Sequence, residues 1–171
     1  FTGDEVLSGL DPTKGTELCA IVEQMYSYEE IFAHTGDNKW AERLETLAFN
    51  ALPATLTEDM WTHQYVQQVN QIACQKTMIM APWSTNGPYA HTFGLEPNYG
   101  CCTANFNQGW PKFALSAFFH RDNTILHAIP VPAVLQDERG TIRVESEYPF
   151  RNTLRYCIDA KQAFTSQIRI P

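Results

Sequence analysis

Thr16-Glu17-Leu18-Cys19-Ala20-Ile21-Val22-Glu23-Gln24-Met25, continued to His34, is the stretch whose reading decides the fold. Leu18, Ile21, Val22, Met25, then Tyr28 or Glu29, and Phe32 recur at i, i+3, i+4, i+7, the spacing of one helix face. The spacing predicts a helix from about Glu17 to His34. Thr16 is its N-cap, and Glu17 faces the positive helix end. Glu29-Glu30 reads as an exposed face. Gly36 stops the helix, and Asp37 caps a second one. That second helix carries Trp40, Leu44, Leu47, Ala48 and Ala51 on one face and ends at Pro53. The two form an antiparallel helical hairpin.

Working outward, Trp61 to Gln71 reads as a strand or an extended loop. Residues 82–100 hold three prolines and three glycines and read as a long ordered loop, which in a compact domain is usually functional. A third helix is expected from about Thr103 to Phe119, with Pro111 as a kink or a late start. From Ile125 the apolar residues alternate, predicting antiparallel strands at 125–135, 141–148, 153–159 and 163–170. The expected class is α+β, with a change of character near residue 120.

Composition narrows the function. Of 171 residues, 44% are hydrophobic and 18% charged, which supports a packed core rather than disorder. Nineteen acidic against 12 basic residues give a net charge of −7, and no basic run is present, so no nucleic-acid partner is expected. No apolar run reaches the roughly 18 residues of a membrane-spanning helix, so no membrane partner is expected. The start at Phe1-Thr2-Gly3-Asp4 reads as cut from something longer. Cys19, Cys74, Cys101, Cys102 and Cys157 are odd in number, and no Asn-x-Ser/Thr sequon occurs. Both features argue against a fully paired secreted scaffold and favour the cytoplasm, although the compartment stays open.

Four residues stand out for chemistry: Glu17, Cys19, Cys101 and Cys102. Glu17-Leu18-Cys19 sits at a helix start, where residues two apart can reach one point. Cys101-Cys102 ends the long loop. Three thiolates and a carboxylate form a soft tetrahedral donor set that suits Zn²⁺. The competing reading is four core residues with no metal, since buried free cysteines are common. Cys74 and Cys157 read as core cysteines. The amide-rich run His63-Gln64-Tyr65 to Asn70 suits a sugar pocket or a solvated strand face. His91 and Glu96 read as pocket-lining or simply solvated, and Trp83 and Trp110 as core or sugar-stacking.

Several stretches together carry a resemblance. They are Gly3-Asp4-Glu5, Gly15-Thr16-Glu17-Leu18-Cys19-Ala20, Thr35-Gly36-Asp37, Ala41-Glu42-Arg43 with Phe49-Asn50, and Tyr99-Gly100-Cys101-Cys102-Thr103-Ala104-Asn105. Tyr148-Pro149-Phe150 and Arg169-Ile170-Pro171 add to them. The sequence resembles the β-L-arabinofuranosidase family of zinc-thiolate glycoside hydrolases and its uncharacterised relatives. The resemblance implies part of an (α/α)6 toroid over residues 1–120, followed by the first strands of an antiparallel β-sandwich over 121–171. It implies Zn²⁺ held by Glu17, Cys19, Cys101 and Cys102, with Cys101 as nucleophile and Glu5 as acid/base. The implied activity is retaining hydrolysis of a terminal β-L-arabinofuranoside or related sugar. The weaker substrate contacts would be His63, Gln64, Tyr65 and His91. Implied partners are a carbohydrate substrate and the remainder of the same polypeptide or a partner chain, because three helices and four strands do not fill a toroid and a sandwich. Residues 1–171 are therefore expected not to fold as an independent unit. The alternative is a zinc-stabilised carbohydrate-binding or scaffold protein without turnover, and Glu5 is the residue that separates the two.

Overall fold

The structure is a computed structural model and describes residues 9–69, 71–78, 81–94 and 99–171. It is α+β. Strand β1 (Thr16–Glu17) leads into helix α1 (Leu18–Thr35), followed by α2 (Asn38–Thr46), a π-turn at Leu47–Ala51 and a 3-10 turn at Pro53–Thr55. Strand β2 (Val66–Gln67) precedes α3 (Gly100–Leu115). Six further strands follow: β3 (Phe118–Arg121), β4 (Thr124–His127), β5 (Ala133–Asp137), β6 (Gly140–Ser146), β7 (Leu154–Ala160) and β8 (Thr165–Ile168). The chain forms two compact units, Phe1–Ser27 with Thr46–Trp110, and Tyr28–Glu45 with Pro111–Pro171.

In the first unit the opening half of α1 buries Leu18, Ile21, Val22 and Met25, as the spacing requires. The second helix does not stay α-helical to Ala51. Leu52 keeps helical φ/ψ before Pro53, which offers no N–H to continue the ladder, and the last turn is wide, with Leu52 N–H donating to the Leu47 carbonyl at 2.9 Å. The Ala48 carbonyl, which Leu52 would serve in an α-helix, instead accepts from the Trp110 indole N–H at 2.9 Å. Trp110 is thus held in the packing of α3. Gly109 gives α3 its close approach, because a Cβ there would lie 2.8 Å from Leu52 Cδ2.

In the second unit Gly36, at φ +65°, closes α1 through its N–H to the Phe32 carbonyl at 2.8 Å, and Asp37 Oδ1 accepts from Lys39 N–H at 3.1 Å to start α2. Sheets β3-β4-β8 and β5-β6-β7 follow. Ile125, Ile142 and Val144 form their buried core, with Phe118, Leu135, Leu154, Tyr156 and Phe164 packed on it. Glu45 of α2 is buried, accepts from the Tyr148 hydroxyl at 2.6 Å and pairs with Arg169, whose Nε–H donates to the Ala128 carbonyl at 2.6 Å. The Tyr148 and Arg169 stretches, far apart in sequence, therefore meet on one carboxylate.

Several expectations need correction. Helix α3 starts at Gly100 and accommodates Pro111 at an exposed position. It ends at Leu115, because Phe118–Arg121 pair with Thr124–His127 as a hairpin. The run expected at 125–135 is two strands, interrupted at Pro130 and Pro132, which cannot donate to a ladder. Strand β8 pairs with β4 in parallel, not antiparallel. Glu29 is buried rather than on an exposed face, within reach of Lys112 of α3 and of Ser116 just after it. Cys74 and Cys157 are exposed, not core.

Candidate metal and catalytic centre

The site begins at a close backbone approach. Gly15 is buried against Val66, where a Cβ would lie 1.9 Å from Val66 Cγ1 and 2.8 Å from the Gln67 carbonyl. No other residue fits there, and the contact brings β1 onto β2 in the register Thr16↔Gln67, Glu17↔Val66. Leu18 N–H then donates to the Tyr65 carbonyl at 2.9 Å, and the chain turns helical. This switch from extended to helical backbone lets Glu17 and Cys19 converge, which two residues inside one helix would not do.

The second half of the site is the first turn of α3, where Cys102 N–H donates to the Tyr99 carbonyl at 3.0 Å. One ligand atom from each of Glu17, Cys19, Cys101 and Cys102 lies within 4.8 Å of the others. Cys19 Sγ and Cys102 Sγ are 3.5 Å apart. Cys102 is fully buried and Glu17 nearly so, Cys19 is half-buried, and Cys101 is exposed.

The electrostatics follow from this crowding. The hydrogen bond with Cys19 and then burial push the Cys102 thiol far up, while that bond pulls the Cys19 thiol down. Burial, then the Cys19 sulfur, raises Cys101. Glu17 works against ionisation of Cys19 and Cys101 by like-charge repulsion. Four acidic groups packed this closely cannot all be anionic without a compensating charge. A cation at their centre would supply it, and three sulfurs with one carboxylate oxygen are chemically fit to hold a metal ion.

The remaining sequence-nominated residues fall differently. His63 is buried and shares a 2.9 Å hydrogen bond between Nε2 and Thr103 Oγ1, directly after the cysteine pair. The Tyr65 ring stacks on Tyr99 at 3.9 Å between centroids. Gln64 is buried, donates to the Ala54 carbonyl at 3.4 Å and accepts from Gln71 at 3.0 Å. His91 is fully buried. Its Nδ1–H donates to the Val66 carbonyl at 3.2 Å, so Nε2 accepts from the Ser84 hydroxyl at 2.7 Å, and burial pushes its pKa down. These four residues brace β2 and α3. Glu5, Asn70 and Glu96 lie outside the described residues. Asn105 entered the sequence reading only as the end of a motif, without a role, and Gln108 not at all; the Asn105 amide donates to the Cys101 carbonyl and accepts from Gln108 Nε2. The Cys-Cys-x-x-Asn spacing was the available signal.

Residues 7–115 match the family described as beta-L-arabinofuranosidase, GH127 catalytic domain. The chain belongs to this family. Three solved structures share the GH127 segment's fold. A GH127 beta-arabinofuranosidase is 20% identical, with TM-score 0.70, over 94% of this chain and 24% of its own. A GH127 beta-L-arabinofuranosidase from Geobacillus stearothermophilus T6 is 17% identical, with TM-score 0.63, over 94% of this chain and 26% of its own. A protein titled glycoside hydrolase is 20% identical, with TM-score 0.65, over 94% of this chain and 26% of its own. The GH127 segment thus spans about a quarter of the length of these structures. Among curated proteins, none matches. Among the described residues, no helix is long and apolar enough to cross a membrane.

Proposed function

We propose that this GH127 segment contributes the nucleophile and the metal ligands of a retaining glycoside hydrolase acting on a terminal β-L-arabinofuranoside or a related sugar. The observation that carries the reading is the contrast within one four-donor cluster. Cys102 is sealed inside, whereas its neighbour Cys101 is open to approach. Glu17, Cys19, Cys101 and Cys102 would hold Zn²⁺. When bound, Zn²⁺ would keep the cysteine sulfurs ionised at neutral pH, where a free thiol is a few per cent thiolate.

Cys101 then acts as a nucleophile in place of the second carboxylate of ordinary retaining glycosidases. Its sulfur bonds to the anomeric carbon as the glycosidic C–O bond breaks. Glu5 gives its carboxyl proton to the departing oxygen. In the second step Glu5 takes a proton from water, the water oxygen bonds to the anomeric carbon, and the Cys101 sulfur leaves with its electron pair. Two inversions give net retention. Burial and the Cys19 sulfur raise the Cys101 thiol when no cation is present, so the charge of the bound metal would be what keeps it ionised. Residues 1–120 would belong to an (α/α)6 toroid and 121–171 to the opening of a β-sandwich, with the rest of a longer polypeptide or a partner chain completing both.

The test uses the full-length protein: zinc content, hydrolysis of an aryl β-L-arabinofuranoside, and the anomeric configuration of the first-formed product by NMR. Bound zinc with turnover and retained configuration supports the reading. Inverted product overturns the thiolate mechanism. Bound zinc and sugar binding without hydrolysis of any aryl glycoside selects the non-catalytic binding role.

A further inference from the structure

We propose that His91 is a positioning residue for the Glu17 carboxylate, its imidazole closing the outer side of β2 at Val66, the residue directly opposite Glu17. This deepens the metal-site reading above and rests on it.

Glu17 and Val66 are partners in the β1–β2 ladder. In such a ladder the N–H and carbonyl of one residue point to the same side. Both groups of Val66 are engaged elsewhere than on β1. Its N–H donates to the Ala90 carbonyl at 3.0 Å, and its carbonyl accepts from His91 Nδ1–H at 3.2 Å. Glu17 and Val66 are therefore a non-hydrogen-bonded pair, the kind in which two main chains come closest. Residues 90–91 take the place of a third strand, with backbone for one bond and a side chain for the other. Val66 and His91 are both fully buried, so a Val66 carbonyl without the ring would have no solvent to turn to.

The ring's proton is fixed from behind. Asn86 N–H donates to Ser84 Oγ at 3.2 Å, which leaves the Ser84 hydroxyl proton for His91 Nε2 at 2.7 Å. Nδ1 then carries the hydrogen that a carbonyl requires. The Trp83 ring, 5.1 Å away between centroids, packs beside the imidazole. His91 thus holds Val66 from one side while Gly15 and Glu17 lie against it from the other. Cys101 and Cys102 belong to α3, so a displaced β2 moves the oxygen donor relative to those two sulfurs. Groups behind a ligand that fix its direction commonly tune metal affinity.

The experiment compares full-length wild type, H91N, H91Q, E17A and the double variant E17A/H91Q by Co²⁺ titration and Zn²⁺ competition. The sulfur-to-cobalt charge-transfer band reports the thiolate ligands, and circular dichroism verifies the fold. Asparagine places an N–H near the position of Nδ1, and glutamine near that of Nε2. H91N should therefore bind Zn²⁺ as the wild type does. H91Q should bind it about tenfold more weakly with the charge-transfer intensity kept, because only the oxygen donor is displaced. In the E17A background H91Q should cost nothing further, since both changes act on one ligand. H91N decides the matter where H91Q does not fold. A folded H91N with weakened binding would overturn the inference. So would wild-type affinity in H91Q, a lost charge-transfer band in H91Q, or losses that multiply in E17A/H91Q. A wild type that takes up neither ion would instead overturn the metal-site reading itself, and the inference with it.

Discussion

The sulfur atoms of Cys19 and Cys102 lie 3.5 Å apart although 83 positions separate them in the chain. The β1–β2 ladder sets one of them and the first turn of α3 the other, so the contact measures whether the two halves of the site are assembled. Cys101, next to the buried member, is left exposed. Cys101→Ser should lower turnover of an aryl arabinofuranoside by about three orders of magnitude or more with the circular dichroism spectrum unchanged, because a serine hydroxyl stays protonated at neutral pH. Near-normal kcat in that variant would exclude Cys101 as nucleophile.

Gly15→Ala should destabilise the fold by about 1–3 kcal/mol in urea unfolding, since the added methyl meets Val66 Cγ1 at 1.9 Å. Adding Val66→Ala should recover only part of the loss. The Gln67 carbonyl at 2.8 Å is backbone and cannot retreat as a side chain can.

Glu29 should impose a pH dependence on stability. Burial raises its pKa from 4.5 to about 7, against the opposing effects of Ser116 and Lys112 and with help from the neighbouring Glu30. The folded state therefore holds the proton more tightly than the unfolded chain. The stabilisation is complete below pH 4.5 and is lost as pH rises to about 7. Glu29→Gln should match the wild type at pH 4 and exceed it at pH 8 by about 1–2 kcal/mol, allowing for solvent screening. An unchanged difference between the two proteins across that range would contradict the assignment.

Glu45, Tyr148 and Arg169 should behave as one unit. Glu45→Ala leaves the Arg169 guanidinium buried without its anion and should cost about 3–5 kcal/mol. Tyr148→Phe removes one bond to a charged acceptor and should cost about 1.5–3 kcal/mol. Combining Glu45→Ala with Arg169→Met should cost less than Glu45→Ala alone, and a double-mutant cycle by thermal unfolding measures the coupling.

The helical hairpin was legible because apolar spacing and punctuation agree. Leu18 to Phe32 keep one face, and Gly36 with Asp37 separate the helices. Strand β3 was not legible. Ser116-Ala117-Phe118-Phe119 continues a helical pattern locally, and only the cross-strand partners at 124–127 make it extended. The parallel β4–β8 pairing depends on a distant partner in the same way. Glu29 was misread because its charge outweighed its position, which is i+4 from Met25 on the buried apolar face. At the site, two short motifs pointed to four donors that the structure does bring together. The contacts behind them were less legible: His63 was nominated as a sugar contact but bonds Thr103, and Asn105 showed only as the last position of the Cys-Cys-x-x-Asn spacing.

The ladder beside Gly15 has a consequence for anyone wishing to transplant this donor set into another scaffold. Glu17 is the last residue of a strand and Cys19 lies in the first turn of a helix, so their convergence depends on counting residues as well as on identity. Inserting or deleting one residue between Gly15 and Cys19 would turn the carboxylate to the opposite face of β1 while leaving the helix and the thiol in place. A graft carrying only α1 and α3 would therefore deliver three sulfurs and no oxygen. Residues 63–67 have to travel with them as the template that sets the count.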